Sequence, residues 1–266
     1  MRERMKQVRV FDNTVKRKLR EGKKVVGAWC QIASPITAEI LAEAGFDVLL
    51  IDLEHGPGDI FTLIAQIQAM KGNPALPFVR APWNDFVAIK RILDAGAYGV
   101  LVPYVNTRVE AEAAVRACKY PPEGVRGIAI SPRAAGYGQN SMAYLKRAND
   151  EVLVITAVET PEAVSNLDEI LTVPGLDGIF IGPMDLATSM GHFADVFHPE
   201  VHAAIAIIEA KVLAAGKFLA TVAVNWEHAK NLYGRGYGLL LVLADGVALV
   251  GLAAERVAQF RAEYGG

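Results

Sequence analysis

Eight short apolar runs punctuate the chain: KVVGAWC (24–30), DVLLID (47–52), LPFVRAP (76–82), GVLVPYV (99–105), VLVITAVE (152–159), LDGIFIGP (176–183), KFLATVAV (217–224) and YGLLLVLAD (237–245). Nearly unbroken apolar runs of this length suit strands of a parallel sheet buried on both faces. Segments of helical period lie between them. PITAEILAEAGF sets Ile36, Ile40 and Leu41 on one side, and DFVAIKRILDAGA does the same with Phe86, Ile89, Ile92 and Leu93. Several of these segments end in glycine, as in AEAGFD, LDAGAYG and LAAGK, which fits a glycine C-cap before the next strand. Eight strand–helix units predict an α/β protein with the (β/α)8 TIM-barrel architecture. An open doubly wound sheet would carry a glycine-rich turn after its first strand, but here that strand ends AWCQIASP. No linker divides the chain, so a single barrel domain over 1–266 is expected. A short helix over 15–21 should precede the first strand, with its basic residues forming a solvated face. The longest interruption, 106–151, should hold one helix, RVEAEAAVRACKY, and then an irregular stretch of a length that is usually functional or mobile.

Composition narrows the function classes. Hydrophobic residues are 52% of the 266, enough for a large core, and the formal net charge is −2 with no long basic run. Nucleic acid is therefore not the expected partner. The two cysteines, Cys30 and Cys118, match no zinc spacing and make no disulfide framework, so a reducing cytoplasm is the expected compartment. The charged N-terminus lacks the apolar core of a signal peptide. No apolar stretch reaches the ~18 residues of a membrane span, so no membrane association is expected.

In a barrel of this type chemistry collects at the C-terminal ends of the strands. The polar residues expected there are Asp52, Glu54 and His55 in IDLEHGPGD, then Arg80, Glu159, Asp185 and Asp245. Glu159 and Asp185 end adjacent strands. Two carboxylates side by side repel each other unless one takes a proton or a cation holds both. A divalent cation with a preference for oxygen, magnesium or manganese, suits them. The competing reading is that each carboxylate merely opens a helix. Arg80 would either grip a substrate carboxylate through its planar fork or pair with Glu54 or another protein carboxylate. His55 can act as a base near neutral pH with Asp52 to orient it, or it can be an ordinary loop residue. No lysine ends a strand, which counts against an imine mechanism. The loops after strands seven and eight lack a glycine-rich phosphate cradle, which counts against a phosphorylated substrate.

With these residues in place the chain resembles the HpcH/HpaI aldolase family, the metal-dependent pyruvate aldolases, over nearly its whole length. The resemblance is carried by IDLEHGP, FVRAPWND, IKRILDAGAYGVLVPYVNT, YPPEGVRG, VETPEAVSNLDEI and DGIFIGPMDLATSMG. It implies metal ligation by Glu159 and Asp185, a catalytic role for His55 with Asp52, and pyruvate contact by Arg80. It also implies a pyruvate site lined by Gly182, Met184 and Asp185, and an acidic contribution from Asp94 across a subunit interface of a hexamer. The implied cofactor is Mg2+ or Mn2+, with Co2+ or Zn2+ as alternatives. The implied reaction is reversible cleavage of a 4-hydroxy-2-oxo acid to pyruvate and an aldehyde through a stabilised enolate. Rivals on the same scaffold are a 2-oxo diacid decarboxylase, an acyl-CoA lyase and a non-catalytic 2-oxo acid binding protein. One departure stands out: Ala157 takes a position where many relatives carry glutamine. That removes a polar group from beside the expected metal site.

Overall fold

The computed structural model describes residues 11–265. Eight parallel strands close into a barrel in the order β1 to β8: Val25–Cys30, Val48–Asp52, Leu76–Arg80, Gly99–Val102, Leu153–Val158, Gly178–Ile181, Phe218–Val222 and Leu239–Ala244. All eight predicted runs are strands, each trimmed at one end or both. The helices are α1 (Thr14–Arg20), α2 (Pro35–Glu43), α3 (Ile60–Ala69), α4 (Phe86–Ala95), α5 (Arg108–Cys118), α6 (Ser141–Glu151), α7 (Pro161–Ser165), α8 (Leu167–Leu171), α9 (Pro183–Ser189), α10 (Pro199–Ala214), α11 (Trp226–Gly234) and α12 (Asp245–Tyr264).

Side chains alternate across a strand, and that alternation divides the core in two. Trp29, Leu50, Phe78, Leu101, Ile155 and Phe180 fill the barrel interior. Their neighbours in sequence, among them Leu49, Ile51, Val79 and Ile179, pack outward under the helices. Continuing the inward series by one step in four strands gives Leu50-x-Asp52, Phe78-x-Arg80, Ala157-x-Glu159 and Phe180-x-Gly182. The period of two thus delivers these four positions to the barrel axis just above its apolar filling.

Two sequence expectations need correction. The basic residues of α1 are not simply a solvated face. Val15 and Leu19 enter the interior cluster and plug the N-terminal end of the barrel. Lys16 is buried, donating to the carbonyl of Val152 at 2.9 Å and pairing with Asp177 at 3.0 Å. The second correction concerns 106–151, which contains a second helix, α6, beyond the expected one. Its irregular part is pinned by Arg126, which is buried against the rings of Tyr120 and Tyr144 and bonded to Asp94 at 2.7 Å.

One helix stands apart. Asp245 is the only buried residue of α12, while Val247, Leu249, Val250, Leu252 and Phe260 are all exposed.

Candidate active site

Asp52 and Arg80 are register partners on neighbouring strands. Arg80 donates to both Asp52 oxygens, Nε to Oδ1 at 2.9 Å and Nη2 to Oδ2 at 2.5 Å. Its Nη1 stands 2.9 Å from Glu54 Oε2, an ion pair without hydrogen-bond alignment. The guanidinium also lies over the indole of Trp29, 4.5 Å from the ring centroid. Arg80 is therefore a buried cation held by two carboxylates and an aromatic face, the protein-carboxylate alternative that the sequence left open. Burial opposes ionisation of Asp52, but the bonds and charge of Arg80 outweigh it and hold the carboxyl below its usual range. For Glu54 burial dominates, and its pKa is raised despite Arg80.

The link from Asp52 to His55 differs in kind from the one expected. Asp52 Oδ1 accepts the backbone N–H groups of Glu54 and His55 at 3.1 and 3.3 Å. It shapes the loop, while the imidazole stands 65% exposed and 3.9 Å from Glu54. Asp52 thus places the His55 backbone and does not touch its ring.

Across the mouth, Glu159 follows β5 and is 5% exposed. Burial, helped by the charges of Asp185 and Glu54, raises its pKa to about 7, although the N–H of Tyr104 and the charge of Arg80 pull the other way. That N–H donates to Glu159 Oε2 at 3.0 Å. To make this bond Tyr104 takes a left-handed backbone, φ +56, which costs a non-glycine residue on the order of 1 kcal/mol or more. Gly182 permits the close approach on the other side. A Cβ there would stand 2.7 Å from Glu159 Cγ and Oε1. Asp185 lies in the first turn of α9 and is exposed beside Met184.

The donor set fits a hard divalent cation. Glu159 is a dry carboxylate that resists ionisation, Asp185 adds a second one nearby, and among the described residues no histidine or cysteine groups with them. Asp52 and Glu54 are committed to Arg80. A separate trio, His192, His198 and Glu200, also clusters. There His198 Nδ1 accepts the N–H of Glu200 at the start of α10, and His192 Nε2 bonds the Glu200 carboxylate at 2.9 Å.

Two expected residues lie elsewhere. Asp94 sits in the last turn of α4, which runs antiparallel to the strands. It therefore stands at the opposite end of the barrel from this chain's own mouth, bonded to Arg126. Asp245 accepts the N–H groups of Gln31 and Gly246, each at 2.8 Å, and the Thr37 hydroxyl at 3.1 Å; it ties β8 to the β1–α2 turn. Ala157 is 1% exposed within the interior cluster, one inward step below Glu159. Sequence reasoning missed Trp29 and Tyr104. The period of two would have pointed Trp29 inward, but no sequence signal announces a tyrosine in the left-handed region.

Known proteins resemble this chain in sequence and in fold. The HpcH/HpaI aldolase/citrate lyase family profile matches residues 25–250. A 4-hydroxy-2-oxo-heptane-1,7-dioate aldolase of Shigella sonnei (strain Ss046) is 41% identical over 253 residues, 95% of this chain and 97% of that protein. A 5-keto-4-deoxy-D-glucarate aldolase of Salmonella arizonae is 44% identical over 208 residues, 78% of this chain and 81% of its own length. The crystal structure of a family member from Burkholderia cenocepacia J2315 superposes with a TM-score of 0.90 at 36% identity, covering 94% of this chain and 99% of that one. The chain belongs to the HpcH/HpaI aldolase/citrate lyase family.

Proposed function

We propose that this protein is a divalent-metal-dependent pyruvate aldolase, a lyase that cleaves a 4-hydroxy-2-oxo acid to pyruvate and an aldehyde and runs the reverse addition. The observation that carries the reading is the mouth of β5 and β6. A carboxylate with its pKa raised to about 7 is packed against a glycine that leaves it room, with a second carboxylate near enough to raise it further. Relatives above 40% identity bearing the aldolase name support it.

Glu159 and Asp185 would hold the cation, magnesium or manganese by their oxygen chemistry. When bound, it supplies Lewis-acid stabilisation of charge developing on the keto oxygen. Arg80, clamped by Asp52 and Glu54, places fixed positive charge at the same mouth without needing to reorganise. The exposed imidazole of His55 is the group free to take a proton from the pyruvate methyl, and Asp52 sets the backbone that carries it. Gly182, Met184 and Asp185 would line the pyruvate site. We further read the protein as a cytoplasmic homo-oligomer, a hexamer by resemblance. The apolar surface of α12 supports self-association, and a second copy would be needed to bring Asp94 to a mouth. Both cysteines are buried free thiols, in keeping with a reducing compartment. No helix among the described residues is long and apolar enough to cross a membrane.

The test is exchange of the pyruvate methyl protons for deuterium in heavy water, with and without divalent metal. Metal-dependent exchange is expected, and none with any divalent metal would refute the reading. A decarboxylase would instead release carbon dioxide from a 2-oxo diacid with no aldehyde.

A further inference from the structure

The segment between α9 and α10 holds three metal-ligating side chains that the reaction proposed above does not use. His192 lies three residues beyond α9, His198 is the N-cap of α10, and Glu200 stands in the first turn of that helix. One ligand atom of each lies within 4.8 Å of the other two, and no other group of three such residues occurs among the described residues. All five histidines and both cysteines of the chain are described.

Backbone bonds fix the spacing of the trio. The His192 N–H donates to the Ala187 carbonyl at 2.9 Å, the Asp195 N–H to the His192 carbonyl at 3.0 Å, and the His198 N–H to the Asp195 carbonyl at 3.3 Å. The two imidazoles stack, with centroids 3.5 Å apart and planes 16° apart. His192 Nε2 stands 2.9 Å from Glu200 Oε2, near the roughly 3.3 Å that separates two ligands on a tetrahedral zinc. A cation there takes the place of the proton the pair shares. His198 Nδ1 accepts the Glu200 N–H at 3.3 Å, a long and weak bond, so turning this ring to a cation gives up little. The His192 side chain is 21% exposed and that of Glu200 69%, which leaves a path from solvent. Two imidazoles and one carboxylate suit a borderline transition-metal dication such as zinc, with water in the fourth position. The oxygen-only pair of Glu159 and Asp185 suits a harder ion.

We propose that His192, His198 and Glu200 form a second metal site, for zinc or a chemically similar transition-metal dication, that clamps the segment after α9 to the start of α10. Helix α9 opens with Pro183, Met184 and Asp185, so the clamp steadies the helix that stands at the candidate mouth. The site does not depend on the aldolase reading.

The test measures zinc affinity by competition with a chromophoric chelator in saturating magnesium, and the visible absorption of the cobalt-loaded protein. Wild type should hold a zinc that magnesium does not displace, and Glu159→Gln should keep it. His192→Ala and Glu200→Gln should each weaken it at least about tenfold and bleach the cobalt bands, since a direct ligand matters no less than the outer groups whose loss costs that much. His198→Asn should lose the zinc equally while melting like wild type in chelator, because asparagine keeps the N-cap and removes the imidazole. Glu200 is exposed, so its variant is safe from a folding defect. Absence of a magnesium-resistant zinc in wild type overturns the proposal. So does zinc affinity within about twofold of wild type in His198→Asn or Glu200→Gln. Loss of the zinc in Glu159→Gln would place it at the β5–β6 mouth and overturns the second site as well.

Discussion

Replacing Glu159 by glutamine should remove a specific, pH-dependent part of the stability. The carboxyl is 5% exposed and its pKa is raised from 4.5 to about 7, first by burial and then by Asp185 and Glu54. The folded chain thus holds this proton more tightly than the unfolded chain does. The contribution is whole below pH 4.5 and is lost as the pH rises through about 7. A shift of that size corresponds to about 3 kcal/mol. Asp52 acts in the opposite sense. Its lowered pKa gives stability that is present above the ordinary aspartate range and lost on acidification. The wild-type curve alone therefore mixes the two effects, and the difference between wild type and Glu159→Gln isolates the first. The assay is urea unfolding of both proteins in chelator from about pH 4.5 to pH 8. In chelator, wild type should lose about 3 kcal/mol relative to the variant across that range. Manganese at about a hundred times its Kd should return about 2.7 kcal/mol to wild type above pH 7, and far less to the variant. A flat difference between the proteins would refute the burial argument. Equal stabilisation of both by manganese would remove Glu159 as a ligand.

Three further outcomes follow from the same geometry. His55→Ala removes an exposed ring, so stability should change by less than about 0.5 kcal/mol, while pyruvate proton exchange should fall by roughly 10²–10⁴; intact exchange would exclude His55 as the base. Arg80→Lys keeps the charge but loses the fork to Asp52, so stability should fall by about 1–3 kcal/mol in thermal or urea melts and exchange should fall with it. A stability loss with full exchange would make Arg80 purely a scaffold. Ala157→Gln forces a longer amide into the filled barrel interior and should cost about 1–3 kcal/mol of unfolding free energy. A variant of undiminished stability with faster exchange would instead show that the amide finds room and aids proton transfer.

The parallel barrel was legible because it is written in local patterns. Apolar runs too short for helices occur eight times with helical segments between them, several of those segments end in glycine, and closure buries the runs on both faces. The candidate site was partly legible for the same reason: Asp52 and Arg80 end their strands, Glu159 directly follows its own, and a period of two needs no tertiary information. Strand-end position does not say which polar groups find each other. Asp52 could bond the His55 ring or the Arg80 fork, and only the register of β2 against β3, which sets Asp52 beside Arg80, decided for the arginine. The Glu159 pKa depends on burial and on Tyr104, Asp185, Glu54 and Arg80 from separate segments of the chain, and its bond to Tyr104 depends on a backbone angle that residue type disfavours. Lys16 and Arg126 look like surface charges in the sequence. Their partners, Asp177 and Asp94, lie 161 and 32 residues away, so only chain closure could bring them together and let each be buried.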